Sequence, residues 1–190
     1  LWARDIPDFA ISLGRAFWPG PMTLILKRQE LARDFITGSQ DSVGIRIPSD
    51  PIALELLTRF ESLGGLGVAA PSANRFGAVS PTTAKAVEIE IGTFLKPVDL
   101  ILDGGQCLVG VESTIIDCTK DHPVVLRPGA ITAEMIEQST GLKPLTSEQE
   151  SSSPEIRVSG SLEKHYAPAA KVFLDETPTA GQGFIAASRR

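Results

Sequence analysis

The sequence predicts an α/β fold: a mixed β-sheet with flanking helices, followed by a linker and the start of a small second α/β domain. Short apolar runs alternate with amphipathic stretches over residues 1–141, as in folds that pack helices on a sheet. Two apolar segments, 112–119 and 123–129, flank the turn-prone KDHP and predict an antiparallel pair, which makes the sheet mixed. A hydrophobic fraction of 42% and a charged fraction of 22% are those of a globular domain.

The helices are predicted from apolar residues at intervals of three and four, together with end signals. Asp50 is a candidate N-cap with Pro51 at the first helical position, and Thr132 is the candidate N-cap of the last helix. Ser80 or Thr82 is expected to cap the helix between them. Runs of branched apolar residues bounded by Pro or Gly predict strands. The predicted helices are 6–18, 50–62, 81–92 and 131–141, and the predicted strands are 22–27, 42–48, 66–71, 98–105, 112–119, 123–129 and 171–176.

The composition changes sharply after the last of these helices. Residues 143–161 are rich in Ser, Glu and Pro, which is typical of a linker. We therefore expect a first domain over residues 1–142, a linker over 143–169 and the beginning of a second domain over 170–190. The first residues already follow a helical pattern and the last follow a strand-like run, so both ends are expected to be incomplete.

Charge and cysteine content narrow the classes of function. The formal net charge of −5 argues against broad binding to a phosphate backbone. Two cysteines without a CxxC pair argue against a disulfide scaffold and favour a reducing, cytoplasmic setting. An apolar stretch of the roughly 20 residues that a membrane span requires is absent from the sequence, so no membrane partner is expected.

The stretch APSANRFGAVSP, residues 70–81, concentrates hydrogen-bonding groups between a predicted strand and a predicted helix. Ser72, Asn74 and Ser80 can offer hydroxyl and amide groups to a ligand beside the N–H groups of the following helix. The alternative is a turn and helix cap that satisfies its own backbone. Capping accounts for Ser80 without accounting for Ser72 and Asn74.

A second polar group is expected at the predicted hairpin, where GVESTIID is followed by LRPG. Pairing of these strands would bring Ser113 and Thr114 near Arg127, whose planar fork suits phosphate or carboxylate. The alternative for Arg127 is a silent surface ion pair with Glu112 or Asp117. The patterns GxxxxGK[ST] and GxGxxG do not occur in the sequence, so a nucleotide would not be held by a P-loop.

Metal and nucleophile chemistry are not predicted from the residues. Cys107 has no histidine nearby in the sequence, and a small buried thiol is the favoured interpretation. His122 lies in a turn and His165 in the linker, so a zinc site is not expected.

Seven motifs in order closely resemble the YrdC-like threonylcarbamoyl-AMP synthase family, in its longer form with a HYAP-bearing linker and a second domain. The resemblance covers nearly all of residues 1–175. Each motif is weak alone, but seven in register are highly specific. They are PGPMTLIL, SVGIRIPSDP, APSANRFGAVSPTTA, ILDGG, GVESTIID, VVLRPGAI and SGSLEKHYAP.

The resemblance implies a twisted-sheet domain with a deep, positively lined cavity. It implies a nucleotidyltransferase that condenses L-threonine, bicarbonate and ATP into threonylcarbamoyl-AMP and pyrophosphate, with Mg²⁺ on the phosphates. The product would serve proteins that modify adenosine 37 of tRNA, with a weak tRNA contact as a further expectation. By motif position, the implied ATP/AMP contacts are Arg46, Ser72, Asn74, Ser80, Arg127, Ser159 and Tyr166, the implied threonine or carbamate contacts are Asp50, Ser113 and Thr114, and the implied lid residues are His165 and Tyr166.

The sequence departs from the family pattern in one respect. The PTET-like threonine motif and the KxR pair expected before the first motif are not present. Three alternatives therefore stay open: an inactive fragment, a YrdC-like RNA- or nucleotide-binding module without catalysis, and a related carbamoyl-transferring maturation factor. The last would bring zinc-finger-like and acylphosphatase-like segments, which the sequence does not show.

Overall fold

A computed structural model of the chain describes residues 1–149, 156–158, 177, 179 and 181. Within these residues, five strands form one mixed sheet in the spatial order β2-β1-β3-β4-β5. Strand β1 pairs antiparallel with β2 and parallel with β3, β3 pairs antiparallel with β4, and β4 pairs parallel with β5. The mixed α/β sheet and the predicted hairpin are therefore confirmed. The strands are β1 (Met22–Lys27), β2 (Ser42–Ile45), β3 (Thr114–Asp117), β4 (Val124–Arg127) and β5 (Leu145–Thr146).

The helices begin and end close to the positions that local signals predict. The Asp50 carboxylate accepts a hydrogen bond from the Ala53 N–H at 2.9 Å and caps the third helix. Thr132 caps the last helix as predicted. The helix between them is capped by Thr83 instead, because the Thr83 hydroxyl accepts from the Ala86 N–H. The helices are α1 (Asp8–Phe17), α2 (Asp34–Thr37), α3 (Pro51–Ser62), α4 (Ala84–Ile91) and α5 (Ala133–Thr140), with a 3₁₀ turn at Gly92–Phe94.

The hydrophobic core lies between the sheet and the helices α1 and α5. Leu13 of α1 and Ile136 of α5 are completely buried against the apolar side chains of the central strands. Burial of such side chains supplies most of the favourable free energy of folding. Among the described residues, no helix has both the length and the apolar character needed to cross a membrane. The buried residues of this core are Phe9, Ala10, Leu13, Met22, Leu24, Leu26, Ile116, Cys118, Ile131 and Ile136.

Two predicted strands are wrong. Residues 66–71 and 98–105 have no regular secondary structure, and Leu66, Val98 and Leu100 are exposed. A strand requires a neighbouring chain to satisfy its backbone groups, and neither segment pairs with a strand in the described part of the chain. The helices α3 and α4 on either side likewise have no buried residues.

Two further positions differ from the sequence-based prediction. Strand β2 ends at Ile45 instead of Pro48, so Arg46 lies just beyond the strand. The first part of the predicted linker contributes the short strand β5 beside β4. The predicted strand 171–176 lies outside the described residues.

The described linker residues 156–158 contact the loop between α2 and β2. The Gln40 side chain donates to the Arg157 carbonyl and accepts from the Arg157 N–H, at 3.1 and 2.7 Å. The Arg157 guanidinium donates to the Gly38 carbonyl at 2.9 Å. Three hydrogen bonds therefore hold Arg157, in the predicted linker, against residues 38–40.

Candidate anion-binding site

The polar cluster of the domain forms where β1 and β3 begin. The parallel register places Met22 opposite Thr114, which brings the side chains at the start of both strands together. The hydroxyls of Thr23 and Ser113 lie 2.9 Å apart and share a hydrogen bond. Sequence reasoning assigned Thr23 only to the start of a strand. The signal that could have found it is its place two residues after the Pro-Gly-Pro segment of residues 19–21.

Arg127, at the end of β4, joins this cluster through its whole guanidinium group. Its Nε and Nη2 donate to the Ser113 carbonyl at 3.1 and 2.9 Å, and Nη2 also donates to the Ser113 hydroxyl at 3.0 Å. Nη1 forms an ion pair with the Glu112 carboxylate. The pair was the alternative to a ligand role, but the two side chains are only 16% and 20% exposed, so it is not a solvated surface pair.

The loop of residues 70–81 is tied to the same cluster through Glu112. The Ser80 hydroxyl lies 3.0 Å from a Glu112 carboxylate oxygen and 3.4 Å from the Asn74 side-chain oxygen. The Asn74 amide donates to the carbonyls of Arg75 and Ala78, which closes the loop on itself. Asn74 and Ser80 are thus joined to Arg127 and Ser113, which are more than 30 positions away in the sequence.

A second arginine lies near Arg127. Arg46 donates from Nε to the Gly20 carbonyl at 3.1 Å. Partial burial, and then the positive charge of Arg127, lower the pKa of Arg46 from its ordinary value. The two guanidinium groups together create a positive potential that an anion would relieve.

Three predicted site residues have other roles or only partial support in the structure. Thr114 is fully buried, and its hydroxyl accepts from the Ile131 N–H and donates to the Ile131 carbonyl, both at 3.0 Å. This makes Thr114 a structural link between β3 and the start of α5, with no exposed surface for a ligand. Asp50 caps α3. Ser72 is exposed in the loop that carries Asn74.

The predicted contacts of Ser159, His165 and Tyr166 lie outside the described residues and stay predictions. Glu112 is the residue that sequence reasoning missed, since it was weighed only as a partner in a surface ion pair. Its signal was its position directly before Ser113 at the start of a buried strand.

Two surface clefts lie away from this cluster. One, of about 640 Å³, is lined by Arg28, Arg33 and Phe35 among others, and one of about 520 Å³ runs along α4. Neither contains Arg46 or Arg127, so neither is the deep, positively lined cavity that the resemblance implies. The pairing of two arginines with serine and threonine hydroxyls is the chemistry that suits an anion.

The two cysteines differ in environment, and this leads to a prediction. Cys118 is buried in the core, and burial, with a smaller effect of the Asp117 charge, raises the pKa of its thiol. Cys107 is exposed, which contradicts its predicted burial. Because the thiolate is the reactive form, we expect iodoacetamide at about pH 8 to alkylate Cys107 in the native protein and Cys118 only after denaturation. Intact-mass and peptide mass spectrometry would measure this, and rapid native labelling of Cys118 would contradict the buried core position.

Fold and site together define an α/β protein in which arginine and hydroxyl side chains gather at one edge of a mixed sheet. A family model described as "Telomere recombination", of the Sua5/YciO/YrdC proteins, matches residues 1–129. A second, described as "Threonylcarbamoyl-AMP synthase, C-terminal domain", matches residues 131–187. The chain belongs to the Sua5/YrdC family, and the resemblance drawn from the seven motifs is confirmed.

The relatives include proteins named threonylcarbamoyl-AMP synthase from Pyrococcus abyssi and Bacillus subtilis. The first is 40% identical over 93% of this chain and 50% of its own length, and the second is 39% identical over 90% and 47%. The crystal structure of P. abyssi Sua5 complexed with L-threonine matches with a TM-score of 0.77 at 39% identity, covering 90% of this chain and 48% of that one. A structure of a double variant of P. abyssi Sua5 matches with a TM-score of 0.71 at 39% identity, covering 82% of this chain and 43% of that one. The chain therefore spans about half the length of the curated relatives that it matches.

Proposed function

We propose that the protein acts as an L-threonylcarbamoyl-AMP synthase, which condenses L-threonine, bicarbonate and ATP and releases pyrophosphate. The observation that supports the proposal is the contact of Arg127 with Ser113, with Arg46 close enough to feel the charge of Arg127, a candidate anion site in a chain that belongs to the Sua5/YrdC family. Two relatives of the chain are named threonylcarbamoyl-AMP synthase, and the crystal structure of P. abyssi Sua5 is a complex with L-threonine. The product would then be used by proteins that transfer the threonylcarbamoyl group to tRNA.

The proposed roles follow from the chemistry of each side chain. Arg46 and Arg127 would neutralise the phosphates of ATP, since a guanidinium group forms charge-assisted hydrogen bonds with phosphate oxygens. Asn74 and Ser80 would contact the nucleotide from the loop of residues 70–81. Ser113 would lie at the threonine or carbamate end. Bicarbonate and the threonine amine supply the nucleophiles, so the protein would contribute positioning and electrostatic stabilisation.

Mg²⁺ is proposed to enter with ATP. The cluster supplies guanidinium donors and hydroxyl oxygens, and both Glu112 oxygens already accept hydrogen bonds from Arg127 and Ser80. In the described part of the chain, no group of three or more His, Cys, Asp or Glu side chains could hold a metal ion. This donor set suits a phosphate that carries its own cation, and Mg²⁺ would supply further charge neutralisation between phosphate oxygens.

A cytoplasmic location is also proposed, on the basis of the cysteines. Cys107 and Cys118 are both free thiols, which fits a reducing compartment where ATP, threonine and tRNA are available.

The experiment that tests the function is pyrophosphate release by the full-length protein in the presence of ATP, bicarbonate and Mg²⁺, with and without L-threonine. We expect release that depends on threonine and bicarbonate together. L-Serine in place of L-threonine provides a matched control, because it lacks only the methyl group. ATP binding without any threonine-dependent release would favour the second candidate, a nucleotide-binding module without catalysis.

A further inference from the structure

We propose that Glu112 is a positioning residue that aligns Arg127 and Ser80 for nucleotide binding. The inference rests on the proposed function, because the nucleotide is the ligand that the aligned groups would bind. The two carboxylate oxygens have different partners: one forms the ion pair with Arg127, and the other lies 3.0 Å from the Ser80 hydroxyl. Glu112 is therefore a bridge between the end of β4 and the loop of residues 70–81.

The bridge joins the loop of residues 70–81 to β4, more than 40 positions later in the sequence. The loop of residues 70–81 has no regular secondary structure, and its side chains are exposed or half-buried. Arg127 belongs to a strand of the buried sheet and is 16% exposed. Holding a donor of this loop against a strand of the sheet removes conformational freedom before the ligand arrives, which is the general basis of preorganisation. Through Glu112, the Ser80 hydroxyl is held in a fixed position relative to the sheet.

Because Glu112 is charged, a positioning role can be distinguished from a purely electrostatic one. A carboxylate beside Arg127 lowers the positive potential of the site, so electrostatics alone predict that Glu112 weakens anion binding. Positioning predicts the opposite, since a misaligned guanidinium group loses the geometry on which charge-assisted hydrogen bonds depend. The two explanations therefore differ in sign for removal of the whole Glu112 side chain, and charge and geometry must be changed separately to distinguish them.

Two substitutions separate charge from geometry. In Glu112→Gln the amide oxygen can still accept from Arg127, and the amide nitrogen can donate to the Ser80 oxygen. The Ser80 hydrogen then turns to the Asn74 oxygen at 3.4 Å, so the bridge survives without its charge. In Glu112→Asp the charge survives, but the side chain is one methylene shorter and cannot reach both partners.

The test is calorimetric binding of a non-hydrolysable ATP analogue to the full-length protein and its variants. We expect Glu112→Asp to weaken binding by about tenfold, and Glu112→Gln to bind within about threefold of the unsubstituted protein or more tightly. Glu55→Ala is the matched control, because it removes an exposed Arg–Glu pair on α3 and should change nothing. Melting temperatures would show that each variant is folded.

A double-mutant cycle shows whether Glu112 acts through Arg127. In an Arg127→Ala background, Glu112→Asp should have less than half of its effect, because its main partner is missing. Unchanged affinity of Glu112→Asp, equal weakening by Glu112→Gln, or fully additive effects would each overturn the proposal while leaving threonine-dependent pyrophosphate release intact. An unsubstituted protein that binds no ATP analogue would instead overturn the proposed function and this inference together.

Discussion

Replacing Arg127 with alanine is expected to weaken ATP binding by about 1.5–3 kcal/mol, roughly 10- to 150-fold in Kd. The guanidinium group is mostly buried and is oriented by Glu112 and by the Ser113 carbonyl and hydroxyl. A guanidinium group that is already ordered loses little conformational entropy on meeting a phosphate, so its removal should lower affinity. The substitution also breaks the mostly buried ion pair with Glu112, so it should lower stability as well. Isothermal titration calorimetry of the full-length protein at one fixed ionic strength measures the change.

Lysine at the same position tests whether the planar fork matters as well as the charge. Arg127→Lys keeps a positive charge but loses the bidentate geometry, so we expect an affinity between those of alanine and arginine. The control is Arg59→Ala, which removes an exposed arginine paired with Glu55 on α3 and should leave affinity unchanged. An Arg127→Ala protein with unaltered ATP affinity would show that Arg127 serves only its contacts with Glu112 and Ser113.

Gly129→Ala is expected to have the second large effect, on stability and on nucleotide binding together. A Cβ atom at Gly129 would lie 2.5 Å from the Glu112 carbonyl oxygen and 2.5 Å from the Thr114 nitrogen, distances that real Cβ contacts do not show. Both neighbours are backbone atoms and cannot turn aside as a side chain would. The segment after β4 must therefore move away from β3, at a cost of about 1–3 kcal/mol or more in the free energy of unfolding.

The same displacement would move Arg127, two residues earlier, relative to Ser113. We therefore expect Gly129→Ala to weaken ATP binding even where the protein remains folded. Gly110→Ala is the matched control, since a Cβ at Gly110 would meet no atom within 4 Å. Thermal unfolding and calorimetry measure the two effects. Equal stability of the two alanine variants would contradict the close approach at Gly129.

The elements predicted correctly are those whose signals are local. Asp50 with its following proline marks the start of α3, and Thr132 marks the start of α5, because a cap acts within one helical turn. The hairpin of β3 and β4 is similarly short in sequence and was predicted from its turn. The failed strands at 66–71 and 98–105 depend on pairing with a distant segment, which apolar composition cannot supply.

For the candidate site, the sequence predicted which residues belong to it but not the contacts between them. Arg46, Asn74, Ser80, Ser113 and Arg127 were chosen from motifs, and the structure joins four of them through contacts and the fifth, Arg46, through its proximity to Arg127. Whether they bind ATP stays a prediction.

Composition, caps and motif order by themselves determined the α/β class, the main helices, the hairpin and the family. Only the tertiary structure decided that Glu112 bridges Arg127 and Ser80, and that the Thr114 hydroxyl turns inward to Ile131. The physical reason is that a side chain's role depends on which distant groups the packed sheet brings within hydrogen-bond distance. Ser80 and Glu112 are 32 positions apart in the sequence, so no local sequence pattern can show that their side chains are in contact.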